Sequence, residues 1–141
     1  MGKSILIVMG IFASLLSVAV ATPGIATFYT DYGSSACYGN KSFGVMIAAA
    51  NDSLWSNGAV CGKMFQVTCT GPRNPVPHPC SDKTVTVKIV DHCPGCPSTL
   101  DLSKEAFTQI ANPVAGIINI DYRPYGLKLS LRWILVQQNL Q

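Results

Sequence analysis

The sequence predicts an all-β domain: a small barrel or sandwich of about five or six short strands with one short helix, clamped by disulfides. Three observations lead there. Short runs rich in Val, Ile and Thr alternate apolar with polar residues, as strands with one buried face do. Clusters of Gly, Pro and Asn separate those runs and fit turns. Six cysteines, Cys37, Cys61, Cys69, Cys80, Cys93 and Cys96, form an even set, which in a secreted domain reads as three disulfides.

The chain opens with Lys3 and the apolar run Ile5–Val20, broken by Gly10 and Ser14 and closed by Ala19-Val20-Ala21. A small-residue site after an apolar run predicts a secretory signal peptide over residues 1–21. The run is shorter than the roughly 20 apolar residues of a membrane span, so no transmembrane segment is expected after cleavage. One domain over 22–125 and a C-terminal tail over 126–141 follow, a mature chain of ordinary single-domain size.

Gly24–Tyr29 is the first strand candidate, and Thr30–Ala36 is a polar link to the turn Cys37-Tyr38-Gly39-Asn40. Val45–Ala50 reads as a small-residue strand and Asn51–Gly58 as a loop carrying Leu54 and Trp55. Met64–Thr70 alternates as a strand; Gly71–Ser81 carries Pro72, Pro75, Pro77 and Pro79, which exclude a central strand. Thr84–Asp91 places Val85, Val87 and Ile89 on one face and Thr84, Thr86, Lys88 and Val90 on the other. The loop His92–Pro97 follows, then a helix over Lys104–Ala111 with Ser103 as N-cap and Ala106, Phe107, Ile110 and Ala111 as its apolar face. Gly116–Tyr122 is the last strand candidate of the domain. In the tail, Leu127, Leu129, Leu131 and Trp133 alternate like a strand, while Trp133–Val136 suits a short helix equally well.

The whole-chain charge of +3 falls to +2 without Lys3, and there is no basic run, charge block or P-loop. Nucleic acid and acidic polymers are not implied as partners, and no cofactor or metal is expected. The two carboxylates Asp91 and Asp101 flank the loop between the longest strand and the helix, Asp101 near the positive helix end. Cys93-Pro94-Gly95-Cys96 fits a redox dithiol or half a zinc site in isolation, but its proline flanks and the cysteine count favour a structural disulfide. His92 is expected to face solvent. Tyr29, Tyr38 and Trp55 offer aromatic faces for a sugar, with Trp55 in its polar loop the best exposed contact. Asn40-Lys41-Ser42 and Asn51-Asp52-Ser53 are glycosylation sequons at Asn40 and Asn51.

With those residues in place, the chain resembles the expansin-like proteins, and most closely the single-domain plant natriuretic peptide-like, barwin-related group. The matching pieces are Thr27-Phe28-Tyr29, Ala36-Cys37-Tyr38-Gly39, Trp55 with Asn57-Gly58, Ala59-Val60-Cys61-Gly62, Val67-Thr68-Cys69, Val85–Asp91, and Leu100-Asp101-Leu102-Ser103 with Ala106-Phe107. The resemblance implies a six-stranded double-psi β-barrel, as in expansins, barwin and family-45 endoglucanases. It also implies the pairs Cys37–Cys61, Cys69–Cys80 and Cys93–Cys96.

By that resemblance, Asp101 matches the family's acid and Asp31, in Thr27-x-Tyr29-x-Asp31, its base, while Thr27, Tyr29, Trp55, Asp91 and Asp101 would line a glycan groove. Thr99-Leu100 stands where hydrolases and expansins have His-Phe, which counts against hydrolysis, and Asp31 also suits a plain turn. Only 18 residues follow Arg123, too few for the second domain of an expansin. The expected protein is therefore a secreted, monomeric, non-enzymatic apoplastic protein. It would signal in water and ion balance, with a cell-wall polysaccharide or a plasma-membrane receptor as partner. The rivals are an inverting β-glucan hydrolase using Asp101 and Asp31, and a barwin-like defence protein that binds chitin.

Overall fold

The computed structural model describes residues 20–126; the expected signal segment, apart from its last two residues, and the tail beyond Gly126 lie outside them. Six strands close into a barrel: β1 Thr22–Tyr29, β2 Ile47–Ala50, β3 Met64–Pro72, β4 Thr84–His92, β5 Leu100–Ser103 and β6 Ile118–Tyr125. Around the barrel the order is β1-β5-β2-β4-β3-β6. Two pairs, β1 with β5 and β2 with β4, run parallel and the remaining four antiparallel. This is the double-psi barrel that the sequence led us to expect.

The alternation of β4 does its work as read: Val85, Val87 and Ile89 are buried in the core, with Val67, Ile118 and Ile120 from the neighbouring strands. Helix α2, Lys104–Ile110, buries Ala106, Phe107 and Ile110 in the same core. Ser103 is its N-cap, its hydroxyl accepting the Ala106 N–H at 3.0 Å. Phe107 packs against Phe28 with ring centroids 5.0 Å apart. The disulfides are Cys37–Cys61, Cys69–Cys80 and Cys93–Cys96. Loop entropy makes the first of these, closing 24 residues, worth about 3 kcal/mol.

Four local expectations change. Strand β3 runs on through Gly71 and Pro72, into the proline-rich segment, because beyond Thr68 it pairs with β6 alone and a proline there costs no bond to β4. Leu100–Ser103 is strand β5 rather than loop, because its backbone is captured on both sides, by β1 and by β2. A four-residue stretch has no readable period, so only these long-range pairings identify it. The loop after Ala50 contains a second short helix, α1, Asp52–Trp55, capped by Asn51, whose side chain accepts the Leu54 N–H at 3.1 Å. The last strand is Ile118–Tyr125, later than Gly116–Tyr122, because Gly116 adopts a left-handed φ of 69° and ends a 3-10 turn at Pro113–Ala115.

One irregularity positions the site. Ile47 pairs with Lys88 and Ala48 with Ile89, but Ala49 pairs with Asp91, so Val90 is an extra residue on β4. Strict alternation would point Asp91 inward with Val85, Val87 and Ile89. The bulge at Val90 shifts the phase by one residue and puts Asp91 in step with Lys88 on the outer face.

Phe107 is fully buried at the junction of α2 and β1. Truncation, Phe107→Ala, should therefore cost about 3–5 kcal/mol in urea unfolding of the oxidised protein. A loss below about 1 kcal/mol would mean that α2 is not docked as described.

Candidate functional site

The site grows from the strand register. Thr27 on β1 pairs with Asp101 on β5, Asp101 with Ala49 on β2, and Ala49 with Asp91 on β4. Four adjacent strands thus place Thr27, Asp101, Ala49 and Asp91 in one row across the barrel. Ala48 and Ala50 turn into the core, while Ala49 is not part of that cluster. Its methyl group leaves low ground between the two carboxylates, whose backbones stand two strand spacings apart, about 10 Å.

Asp101 is half-buried and is held by Thr27, whose hydroxyl donates to its Oδ1 at 2.8 Å. That donation spends the only Thr27 hydroxyl proton, so the contact of 2.7 Å between Thr27 Oγ1 and Ser98 Oγ has Ser98 as donor. Ser98 is fully buried. The result is a chain Ser98 to Thr27 to Asp101 that fixes the carboxylate from beneath. Cys93 Sγ lies 4.0 Å from Asp101 Oδ2. Being disulfide-bonded, that sulfur has no proton to donate and acts as an apolar wall. Burial pushes the Asp101 carboxyl above its ordinary 3.8, with the Thr27 hydrogen bond pulling the other way.

Tyr29 stands two residues along β1 from Thr27. Its phenol is pushed up, first by burial and then by the nearby charges of Asp91 and Asp101, so it stays neutral. Its ring meets Tyr32 edge-on at 5.2 Å. Tyr32 in turn donates its hydroxyl to Glu105 and accepts the Lys104 N–H at 3.0 Å, tying this wall to the start of α2.

Asp91 Oδ1 accepts the N–H groups of Ala36 at 2.8 Å and His92 at 2.9 Å. The Cys37 N–H reaches the Val90 carbonyl at 3.0 Å, so the turn at 35–39 seals the bulge from outside.

His92 does not simply face solvent. Its ring stacks on Trp55, centroids 4.5 Å apart and planes 6° from parallel, and its Nε2 lies 2.8 Å from Asp52 Oδ1. The other Asp52 oxygen accepts the Gly95 N–H at 3.0 Å, pinning the disulfide loop. This hydrogen bond and then His92 hold the Asp52 carboxyl below its usual value.

The register thus aligns Thr27, Asp101 and Asp91, with Tyr29 two residues along β1, and Trp55 reaches this face through His92. Asp31 is placed differently from its proposed partner: it is exposed, and its Oδ1 accepts the Gly33 N–H at 3.1 Å, the turn role open to it. Asp101 itself sits on a strand, two residues before the helix cap, and its surroundings come from Thr27 and Ser98 rather than from the helix end. Sequence reasoning missed Ser98 and Ala49. A serine after a proline and the middle of three alanines carry no signal until the register is known. Of the sequons, Asn40 is exposed, while Asn51 uses its Oδ1 as a cap and as acceptor for the Ser53 hydroxyl at 2.9 Å.

The closed double-psi barrel that carries this row of Thr, Ala and two Asp is an expansin-like domain. The family model described as lytic transglycolase matches residues 47–122, more than half of the chain. An EG45-like domain containing protein of Arabidopsis thaliana is 67% identical over 125 residues, covering 88% of this chain and all of the relative. Another, from Citrus jambhiri, is 54% identical over 125 residues, covering 86% of this chain and 95% of its own length. The chain belongs to this family of EG45-like domain proteins. Among solved structures, the expansin of Clavibacter michiganensis is similar at 32% identity and a TM-score of 0.60, covering 76% of this chain and 51% of its own. A point mutant of that expansin is described in complex with cellohexaose. An endoglucanase of the blue mussel Mytilus edulis, at 17% identity and a TM-score of 0.56, shares the fold alone, covering 75% of this chain and 79% of its own.

The Thr27 hydrogen bond favours the ionised Asp101, so Thr27→Val should move its titration to still higher pH in a carbon-detected NMR experiment on the carboxyl groups. The linkage to stability has a definite sign. With its folded value raised, Asp101 contributes stability present below 3.8 and lost as pH rises through the folded value. The melting temperature of wild type relative to Asp101→Asn should therefore fall as pH rises across that window. A constant difference would mean that Asp101 is solvated like a free side chain.

Proposed function

We propose that this protein is a secreted, non-enzymatic cell-wall protein that uses the Thr27–Asp101–Ala49–Asp91 row to hold a neutral β-linked glycan, and acts from the apoplast as a signal in water and ion balance. The observation that carries the reading is the Ser98-Thr27-Asp101 chain, which presents a fixed carboxyl beside the Tyr29 phenol. A pyranose offers paired hydroxyls that donate to Asp91 and Asp101 and accept from Tyr29. The Trp55–His92 stack, one residue from Asp91, adds an aromatic flank for the apolar sugar face. The cellohexaose complex of the related expansin supports this ligand class. Asn40 and Asn51 are proposed as glycosylated positions, because Asn40 is exposed and the cap at Asn51 engages only Oδ1.

A second reading has one favouring observation. A half-buried carboxyl with its pKa raised by burial is how a general acid is kept protonated, and the matching family model is described as a lytic transglycolase. Asp101 would then protonate the leaving oxygen, with Asp31 as the base proposed by resemblance.

Calorimetric titration with cellohexaose separates the readings. Binding is expected for the wild type, and Thr27→Val and Asp101→Asn should each weaken it about tenfold, as loss of a hydrogen bond to a charged group does. Reducing ends released from soluble β-glucan by wild type and not by Asp101→Asn would replace the binding reading with the hydrolytic one. Absence of both binding and cleavage would leave the row without a glycan role.

A further inference from the structure

The outer face of β4 does not end at Asp91. The Val90 bulge that turns Asp91 outward keeps it in step with Lys88, and β2 records the continuity by pairing Ala49 with Asp91 and Ile47 with Lys88. The carboxylate row therefore runs on, over one strand, into a cluster of opposite charge. Its centre is Phe43. The Lys88 ammonium lies 4.4 Å from the ring centroid, the Lys41 ammonium 5.2 Å from it, and the Tyr38 ring packs at 4.4 Å with a tilt of 43°.

The cluster is fixed in place. Cys37, next to Tyr38, is bonded to Cys61, and the Lys41 N–H reaches the Tyr38 carbonyl at 3.2 Å. The Tyr38 hydroxyl sits against Gly62, whose φ is +79° and where a Cβ would come within 2.6 Å of it. The sequence thus supplies a glycine where the tip of the Tyr38 side chain meets the backbone.

The Phe43 ring gathers two cations on one patch of surface. Among the described residues the only ion pair is His92 with Asp52, so neither lysine has a carboxylate partner. An anion placed over Lys41 and Lys88 would supply the missing charge. A small inorganic anion would use the two ammonium groups and leave the rings idle, and an Asp or Glu side chain carries no flat apolar face of its own. A uronic acid brings both, a carboxylate and a pyranose C–H face on the same ring.

We propose that Lys41, Lys88, Phe43 and Tyr38 form a second glycan subsite, specific for carboxylate-bearing sugars. A uronate seated there lies beside the neutral-sugar row, with its charge held away from Asp91 and Asp101. The subsite stands on its own residues. Its joining to the row into one binding face rests on the function proposed above.

The test is calorimetry with oligogalacturonate and with the same oligomer fully methyl-esterified, which keeps the sugar and removes the charge. The acid form should bind and the ester should bind about tenfold more weakly, with affinity for the acid form falling as salt rises. Lys41→Gln with Lys88→Gln should erase that preference at an unchanged melting temperature; the substitution at 41 keeps the Asn40-x-Ser42 sequon intact. Cellohexaose, run in parallel, reads the Thr27–Asp101 row alone, so failure of the row and failure of the subsite are separate results. Equal affinity for acid and ester, an undiminished preference in the double variant, or tighter lysine-dependent binding to phosphatidylserine vesicles would overturn the proposal.

Discussion

The parallel pairing of β1 with β5 is the constraint on which the rest depends. Four register pairs, from Ala26 with Leu100 to Tyr29 with Ser103, join the start of the domain to a four-residue strand some 75 positions later. Without that pairing β5 has no reason to be extended, β2 loses a neighbour, and the circuit of six strands is open. The same pairing puts Thr27 against Asp101. Closure of the barrel and construction of the site are therefore one event. The entropic cost of so distant a contact is reduced by Cys37–Cys61, which ties the turn before β2 to the segment before β3.

Polar groups at this junction are fully accounted for. Ser98 and Ser103 are buried, and each is bonded, Ser98 to Thr27 and Ser103 to the Val45 carbonyl and the Ala106 N–H. No buried side-chain nitrogen or oxygen among the described residues lacks a partner. An unpaired hydroxyl at Ser98 would cost roughly 1–3 kcal/mol. Its use beneath Thr27 is thus both a structural requirement and the means by which Asp101 is aimed.

Much of the barrel was legible because its long strands alternate. Val85, Val87 and Ile89 announce β4, and Met64–Thr70 announces β3, while Ser103 with Ala106, Phe107 and Ile110 announces α2. The proline-rich segment Gly71–Ser81 marks a break, though β3 runs two residues into it. What the sequence hid was non-local. Leu100–Ser103 is too short to show a period, and it is a strand only because two others grip it. Ala49 is one alanine of three, and its place between two acids follows from register. His92 looked solvent-facing because the ring it stacks on, Trp55, is 37 positions away and rides a helix too short to predict. Family resemblance supplied the cysteine pairs that spacing alone leaves open, and it pointed to Asp101 and Thr27. It did not supply their support, Ser98, nor the turn that holds Asp31.

The extra residue at Val90 has a consequence for how this surface can vary. Parity along β4 decides which side of the wall every later side chain occupies, and one inserted residue reverses it. Strand length and core content hardly change across such an event, since Val85, Val87 and Ile89 all precede it. An unbroken strand would carry its acid into the apolar interior, where ionisation is penalised. One residue of strand thus separates a buried carboxylate from one that faces outward.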